Sequence, residues 1–301
     1  MMPAKNPNPD PTFTGDPCDP EFWRMAWRRA REISFLKCSQ KASPMAWHDF
    51  YAQVSDSYLA LWGQDGEQGR RLVAEMARQG LLHPGKKSIL DVGCGPGTMT
   101  LPLAAAGHSV TALDWCRPML DNLERAANEQ GVAGVRAVQA RWEDYRPDRE
   151  HDLALASFFP DALSVRGLER LESWCREKVA LVLGTGEESF AFRREMWQQV
   201  LATPYHDGGF HLACALGWLN ASGRRPNLRH LAWLVEFDHP LETVFDFYRR
   251  YFAIFGQSGP AVEREIMAIL ERWRVGGRVR TQGRVSLALV WWDRPAGETL
   301  P

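Results

Sequence analysis

Three glycines on alternate positions, Gly93, Gly95 and Gly97, follow directly on the short apolar run Ser88 to Val92 and lead into a helical pattern beginning at Thr98. Without side chains the backbone can turn sharply between strand and helix and approach a ligand closely. A strand, a tight glycine turn and a helix form the opening unit of an open parallel sheet, whose ligands bind beyond the carboxyl ends of the strands. The downstream rhythm agrees. Short apolar runs at Ser109 to Leu113, Val135 to Val138, Leu153 to Ala156 and Val179 to Leu183 alternate with helical patterns at Pro118 to Gln130 and Gly167 to Arg176. Alternation of this kind predicts an α/β fold in three layers, a mostly parallel sheet with helices on both faces.

The flanking regions read differently. Residues 1–20 carry six prolines and few apolar side chains, too little to offset the entropy of ordering, and are expected to form a disordered arm. Residues 21–82 hold three helical patterns, expected as an N-terminal helical lid: Phe22 to Arg29, a second opened by Ser43-Pro44 and bearing Trp47, Phe50, Tyr51, Val54 and Tyr58, and a third over Gln68 to Gln79. The core is expected over 83–185. Residues 186–281 are expected as a helical and strand insertion that forms the substrate region, with helices at Phe190 to Leu201, Gly209 to Leu219, Leu241 to Phe255 and Ala261 to Trp273 and a strand at Leu231 to Phe237. A final strand, Val285 to Trp292, lies within 282–301.

Composition narrows the partners. A formal net charge of −1 gives no long-range pull toward a phosphate backbone or an anionic membrane, which favours a small-molecule substrate over nucleic acid. The six cysteines show no CxxC pair and read as free thiols of a reducing compartment. No run approaches the roughly 20 apolar residues of a membrane span, and the expected location is the cytoplasm. The histidines show no metal-ligand spacing, so no metal is expected.

Two cofactor classes use a glycine turn of this kind. A dinucleotide pyrophosphate calls for G-x-G-x-x-G, and here the third glycine position is Thr98. S-adenosylmethionine carries an ammonium and a sulfonium rather than a phosphate, and an acid beside the loop suits it; Asp91 supplies one. A second acid, Asp114, closes the next strand about 20 residues further on, where a carboxylate can accept from both ribose hydroxyls. The acid and the loop together favour the sulfonium donor.

Through Ile89-Leu90-Asp91-Val92-Gly93-Cys94-Gly95-Pro96-Gly97, Val110 to Leu120 and His151 to Pro160, the chain resembles the class I S-adenosylmethionine-dependent methyltransferase family over residues 86 to 185. The resemblance implies a Rossmann-like sheet of seven strands, the last antiparallel. It implies that Asp91, Gly93, Cys94 and Gly95 hold the methionine part, that Asp114 holds the ribose and that Trp115 flanks the adenine. Ser157 and Phe158, at the end of the fourth strand, face the methyl group, and the Phe158 ring is suited to a neighbouring sulfonium. The resemblance also implies that Tyr51, on a helix before the core, closes over the cofactor. One departure stands out: Arg141 occupies the slot where many members have an acid for the adenine amine, and an arginine cannot accept a hydrogen bond. Glu143 or the Trp142 backbone would take that role.

The stretch Pro204 to His211 gathers a phenol, two imidazoles and a carboxylate just before an apolar helix, which nominates Tyr205, His206 and His211 as groups that orient or deprotonate a nucleophile. The reaction expected is in-line methyl transfer to an unidentified acceptor. The alternatives are a non-catalytic S-adenosylmethionine-binding regulator and an NAD-dependent oxidoreductase, the latter disfavoured by Thr98.

Overall fold

A computed structural model describes residues 15–34, 45–62, 66–82, 85, 87–187, 189–203 and 209–295. The helices are α1 (Pro20–Ile33), α2 (Ala46–Trp62), α3 (Glu67–Arg78), α4 (Thr100–Ala105), α5 (Arg117–Glu129), α6 (Val165–Ser173), α7 (Ala191–Val200), α8 (Phe210–Ala221), α9 (Leu241–Ala253) and α10 (Pro260–Arg272). The strands are β1 (Ser88–Val92), β2 (Ser109–Asp114), β3 (Val135–Gln139), β4 (His151–Ser157), β5 (Cys175–Gly184), β6 (Asn227–Pro240), β7 (Arg274–Val275) and β8 (Arg278–Asp293). Their order across the sheet is β3-β2-β1-β4-β5-β8-β6, with the short β7 paired to β8. The strands β1 to β5 run parallel, and β8 is antiparallel to both β5 and β6. This is the sheet the resemblance implies.

Alternation along each strand divides the core between the two faces of the sheet. Ile89, Leu153, Leu155, Ala180, Val182, Leu289 and Trp291 join the cluster with side chains of α2, α3, α7, α9 and α10. Their neighbours Leu90, Val92, Ala154, Ala156, Val179, Leu181, Val290 and Trp292 join the cluster with α1, α6 and α8. Both faces are covered, so the parallel strands carry apolar residues at nearly every position.

On the second face α1 and α8 approach closely: a Cβ at Gly217 would stand 2.3 Å from the Trp23 ring, so only glycine admits this contact. Nearby, the buried Glu172 accepts from Nε and Nη2 of Arg224 at 3.0 and 2.8 Å and from Trp292 Nε1 at 2.7 Å, which satisfies its charge within the core.

The carboxyl-terminal half differs from its expected layout in one respect. Residues 227–240, within the stretch read as an insertion, form β6, which pairs with β8 from Asn227↔Trp291 to Pro240↔Arg278. β6 and β8 are twice or more the length expected for them, and they belong to the sheet itself. No helix among the described residues is long and apolar enough to cross a membrane.

Candidate functional site

The glycine turn lies between β1 and α4, at the carboxyl edge of the sheet. Gly93, Gly95 and Gly97 all have positive φ, 68°, 53° and 96°, the region that glycine enters without a Cβ penalty. Their surroundings differ. A Cβ at Gly93 would stand 2.4 Å from the Phe159 ring and one at Gly97 2.5 Å from Leu123, so those glycines are required by packing. At Gly95 nothing lies within 4 Å, which leaves this backbone open to a ligand.

Asp114, the last residue of β2, is tied to that turn. Its Oδ2 accepts from the Gly95 N–H at 2.9 Å and its Oδ1 from the Cys116 N–H at 2.9 Å. Burial pushes its carboxyl up, while the N–H groups of Cys116, Gly95 and Trp115, with the charge of His48, pull it back. Three N–H donors leave at least one of the four carboxylate lone pairs for a further donor.

Beneath the turn, Asp91 is 1% exposed. Its Oδ2 accepts from the Thr100 hydroxyl at 2.7 Å, and its Oδ1 is buried without a partner. Desolvation raises its pKa to about 6 against the pull of the Thr100 hydrogen bond. An orphaned buried carboxylate oxygen calls for a cation or a donor. Cys94 is buried, burial raises its thiol pKa well above the ordinary value, and its side chain packs with Leu101, Leu120 and Leu123. The residue contributes backbone to the turn rather than a reactive sulfur.

α2 passes across this edge. His48 meets the Trp115 ring at 4.7 Å between centroids, and Asn122 of α5 donates to Asp56 at 3.3 Å. Tyr51 stands within electrostatic reach of both Asp114 and Asp161; burial, foremost, and then Tyr58, Tyr251 and those two carboxylates raise its phenol pKa well above the usual value. It therefore remains a neutral O–H.

The end of β4 supplies the other wall. Phe158 has φ 51°, a left-handed conformation that costs a non-glycine residue roughly 1–2 kcal/mol. Its N–H donates to Val182 O at 3.0 Å and its ring is 43% exposed. The fold holds an apolar ring outward at the strand end against its local preference, the kind of strain that marks functional positions. The Ser157 Oγ beside it is buried without a partner.

Around the expected adenine slot, the Arg141 guanidinium lies 5.9 Å from the Trp115 ring centre and 3.6 Å from Glu143. Trp115 is thus flanked by His48 and Arg141. Trp142 is buried against Phe159 and Trp174, with the Arg170 guanidinium 5.1 Å from its ring centre, so its side chain is core.

Of the three residues nominated for catalysis, Tyr205 and His206 lie outside the described residues. His211, at the start of α8, is half-buried and accepts at Nδ1 from Trp27 Nε1 at 2.8 Å. Burial, with the Arg31 charge second, lowers its pKa to about 4. An indole only donates, so the imidazole proton sits on Nε2. His211 is a neutral N–H donor with its basic nitrogen already engaged. Sequence reasoning missed Asp161 and Arg31. Asp161, in the 3-10 turn Pro160–Ala162 after Phe158, lies near Tyr51, Glu143, Arg31 and Arg141. Arg31 of α1 reaches the same loop, donating to Leu163 O at 2.8 Å.

Comparison with known proteins identifies the segment that bears this geometry. Residues 89–178 match the family described as a methyltransferase domain. A ubiquinone biosynthesis O-methyltransferase from Rickettsia akari is 30% identical over 104 residues, 31% of this chain and 41% of that protein. A ribosomal RNA small subunit methyltransferase G from Idiomarina loihiensis is 32% identical over 108 residues, 35% of this chain and 48% of that one. The chain thus spans less than half the length of these curated relatives. A solved S-adenosylmethionine-dependent methyltransferase from Geobacter sulfurreducens, in complex with S-adenosyl-L-homocysteine, aligns at TM-score 0.48 and 16% identity, over 76% of this chain and 91% of that one.

Proposed function

We propose, from the premise that residues 89–178 belong to the methyltransferase-domain family, that this chain transfers a methyl group from S-adenosylmethionine to a small-molecule acceptor. The observation that carries the reading is the buried, unpartnered Oδ1 of Asp91 beneath the open turn at Gly95. A ligand with an ammonium at one end and a ribose at the other fits that pair of needs, since Asp114, which accepts from the Gly95 N–H, keeps acceptor capacity beside the turn. A pyrophosphate would bring negative charge against Asp91 and Asp114.

In this reading Asp91 and the 93–95 backbone hold the methionine part and Asp114 holds the ribose. Trp115, between His48 and Arg141, gives the adenine a flat apolar wall, and Tyr51 closes from α2. Glu143 is the acid available to the adenine amine. The bound donor supplies an electrophilic methyl carbon on sulfur. The chain's residues position it at the end of β4, where the Phe158 ring and Ser157 exclude water, and most of the acceleration comes from alignment of the two reactants. Acceptor choice is assigned to residues 186–281. His211 contributes as a hydrogen-bond donor. The net charge of −1 supports a small acceptor over RNA.

Thermal melting tests the cofactor. S-adenosylmethionine and S-adenosylhomocysteine should both raise the melting temperature, because a ligand that binds only the native state stabilises it by mass action, whereas NAD and NADP should not. A shift with NAD alone would overturn the reading. Release of S-adenosylhomocysteine across a panel of amines, phenols and thiols separates an enzyme from a binding module.

A further inference from the structure

Asp161 is a carboxylate at this edge of the sheet that the proposed cofactor contacts leave unused. It follows Phe158-Phe159-Pro160 in the turn at the end of β4, the edge on which the donor's methyl would lie. The residue is exposed to solvent, yet neighbouring protein crowds it, so desolvation foremost and then Glu143 raise its pKa, with Arg31 and Arg141 opposing. Among the described residues its carboxylate has no hydrogen bond or ion pair. Tyr51 feels the charge of both Asp161 and Asp114, and the turn that carries Asp161 follows Phe158 and Phe159 at the end of β4, the edge where the cofactor reading puts the donor's methyl.

The charged groups around the position favour a cation. Asp161, Glu143 and Asp114 are acidic. Arg31 is committed to Leu163 O, Arg141 is shared between Glu143 and the Trp115 face, and His211 is neutral. An acceptor that attacked as an oxyanion would be repelled by the Asp161 carboxylate, whereas an ammonium would be drawn in and would find a base.

Resting on the cofactor reading above, we propose that Asp161 receives the acceptor's nucleophile, and that this nucleophile is an amine nitrogen arriving as an ammonium. The carboxylate takes one N–H proton and becomes a carboxylic acid. The lone pair so freed forms the N–C bond to the methyl carbon as the S–C bond breaks, its electron pair staying on sulfur. Asp161 then passes its proton to water, and the methylated amine leaves as a cation.

Sinefungin provides a test that needs no knowledge of the acceptor, because it carries an amine-bearing carbon where the donor has its sulfonium methyl. The wild-type chain should bind sinefungin about tenfold more tightly than S-adenosylhomocysteine by calorimetry, since a charge-assisted hydrogen bond forms to Asp161. In Asp161→Asn that preference should fall about tenfold, to near parity, while affinity for S-adenosylhomocysteine changes less than about twofold. Asp161→Ser should behave alike and serves where the asparagine variant misfolds. A preference that survives both substitutions, or its absence from the wild type, would overturn the assignment. Failure of the wild type to bind either ligand would instead overturn the cofactor reading, and this inference with it.

Discussion

The backbone N–H of Gly95 donates to Oδ2 of Asp114 at 2.9 Å, joining the turn after β1 to the last residue of β2. The acid expected to hold the ribose therefore also fixes the loop expected to hold the methionine part. Asp114→Ala removes both supports. It should weaken S-adenosylhomocysteine binding by about 1.5–3 kcal/mol, the usual worth of a hydrogen bond to a charged group. Calorimetry on the folded variant checks this, and unchanged affinity would move the nucleoside elsewhere.

Asp91 should make stability and cofactor affinity respond to pH in opposite directions. Its folded pKa of about 6 lies above the ordinary 3.8, so the native state holds the proton more tightly than the unfolded chain. The stability this contributes is complete below about pH 4 and is lost as pH rises through about 6. Cofactor binding requires the carboxylate and should weaken as pH falls below about 6. In Asp91→Asn both responses should vanish. Melting curves of wild type and variant between about pH 5 and 7, with and without S-adenosylhomocysteine, separate the two effects.

Gly93 and Gly95 should tolerate alanine differently. Both have positive φ, so each pays roughly 1–2 kcal/mol in backbone strain, but only at Gly93 does the new methyl meet a ring at 2.4 Å. Gly93→Ala should be the more destabilising in urea. Gly95→Ala should keep most of its stability yet lose S-adenosylhomocysteine binding, because its methyl enters the space reserved for the ligand. Equal affinity in Gly95→Ala would mean that the ligand does not approach this turn.

Phe158 is held in the left-handed region with its ring 43% exposed. Phe158→Gly should relieve roughly 1 kcal/mol of strain, so chemical denaturation should show stability equal to or above that of the wild type. S-adenosylmethionine affinity should drop more than S-adenosylhomocysteine affinity, since only the former has a positive sulfonium for the ring to face.

His211 should remain neutral far into the acid range. Its folded pKa of about 4 lies below the ordinary 6.5, so the native state resists its protonation. Stability associated with this group is lost as pH falls from about 6.5 toward 4. Nitrogen chemical shifts should report the Nε2–H form at about pH 6. Trp27→Phe should free Nδ1 and raise the pKa. An imidazolium at pH 6 in the wild type would return His211 to the list of candidate bases.

Much of the central sheet was legible because burial on both faces gives β1, β2, β4 and β5 short, mostly apolar runs, and Ser88–Val92 emerges with the limits expected for it. β6 was only half visible. Its first residues, Asn227, Leu228, Arg229 and His230, face solvent on the edge of the sheet and show no apolar alternation, although β8 pairs with every one of them. Asp91, Asp114 and the glycines announced themselves by spacing. Asp161 did not, because a single acid after Phe-Phe-Pro has no local signature; its interest arises from Tyr51 and Arg31, more than 100 residues away in sequence. The Trp27 to His211 bond was hidden for the same reason.

The seat of β8 between β5 and β6 has a kinetic consequence. The outer edge of β5 is paired by Leu287 to Asp293, more than 100 residues further along the chain, and lies bare until they reach it. A long apolar strand edge waiting for a distant partner can be captured by another chain, and pairings of high sequence separation form slowly. A chain whose last strand is delayed would expose that edge, so a chaperone or the pace of translation over residues 185–277 should change how much of it reaches the native state.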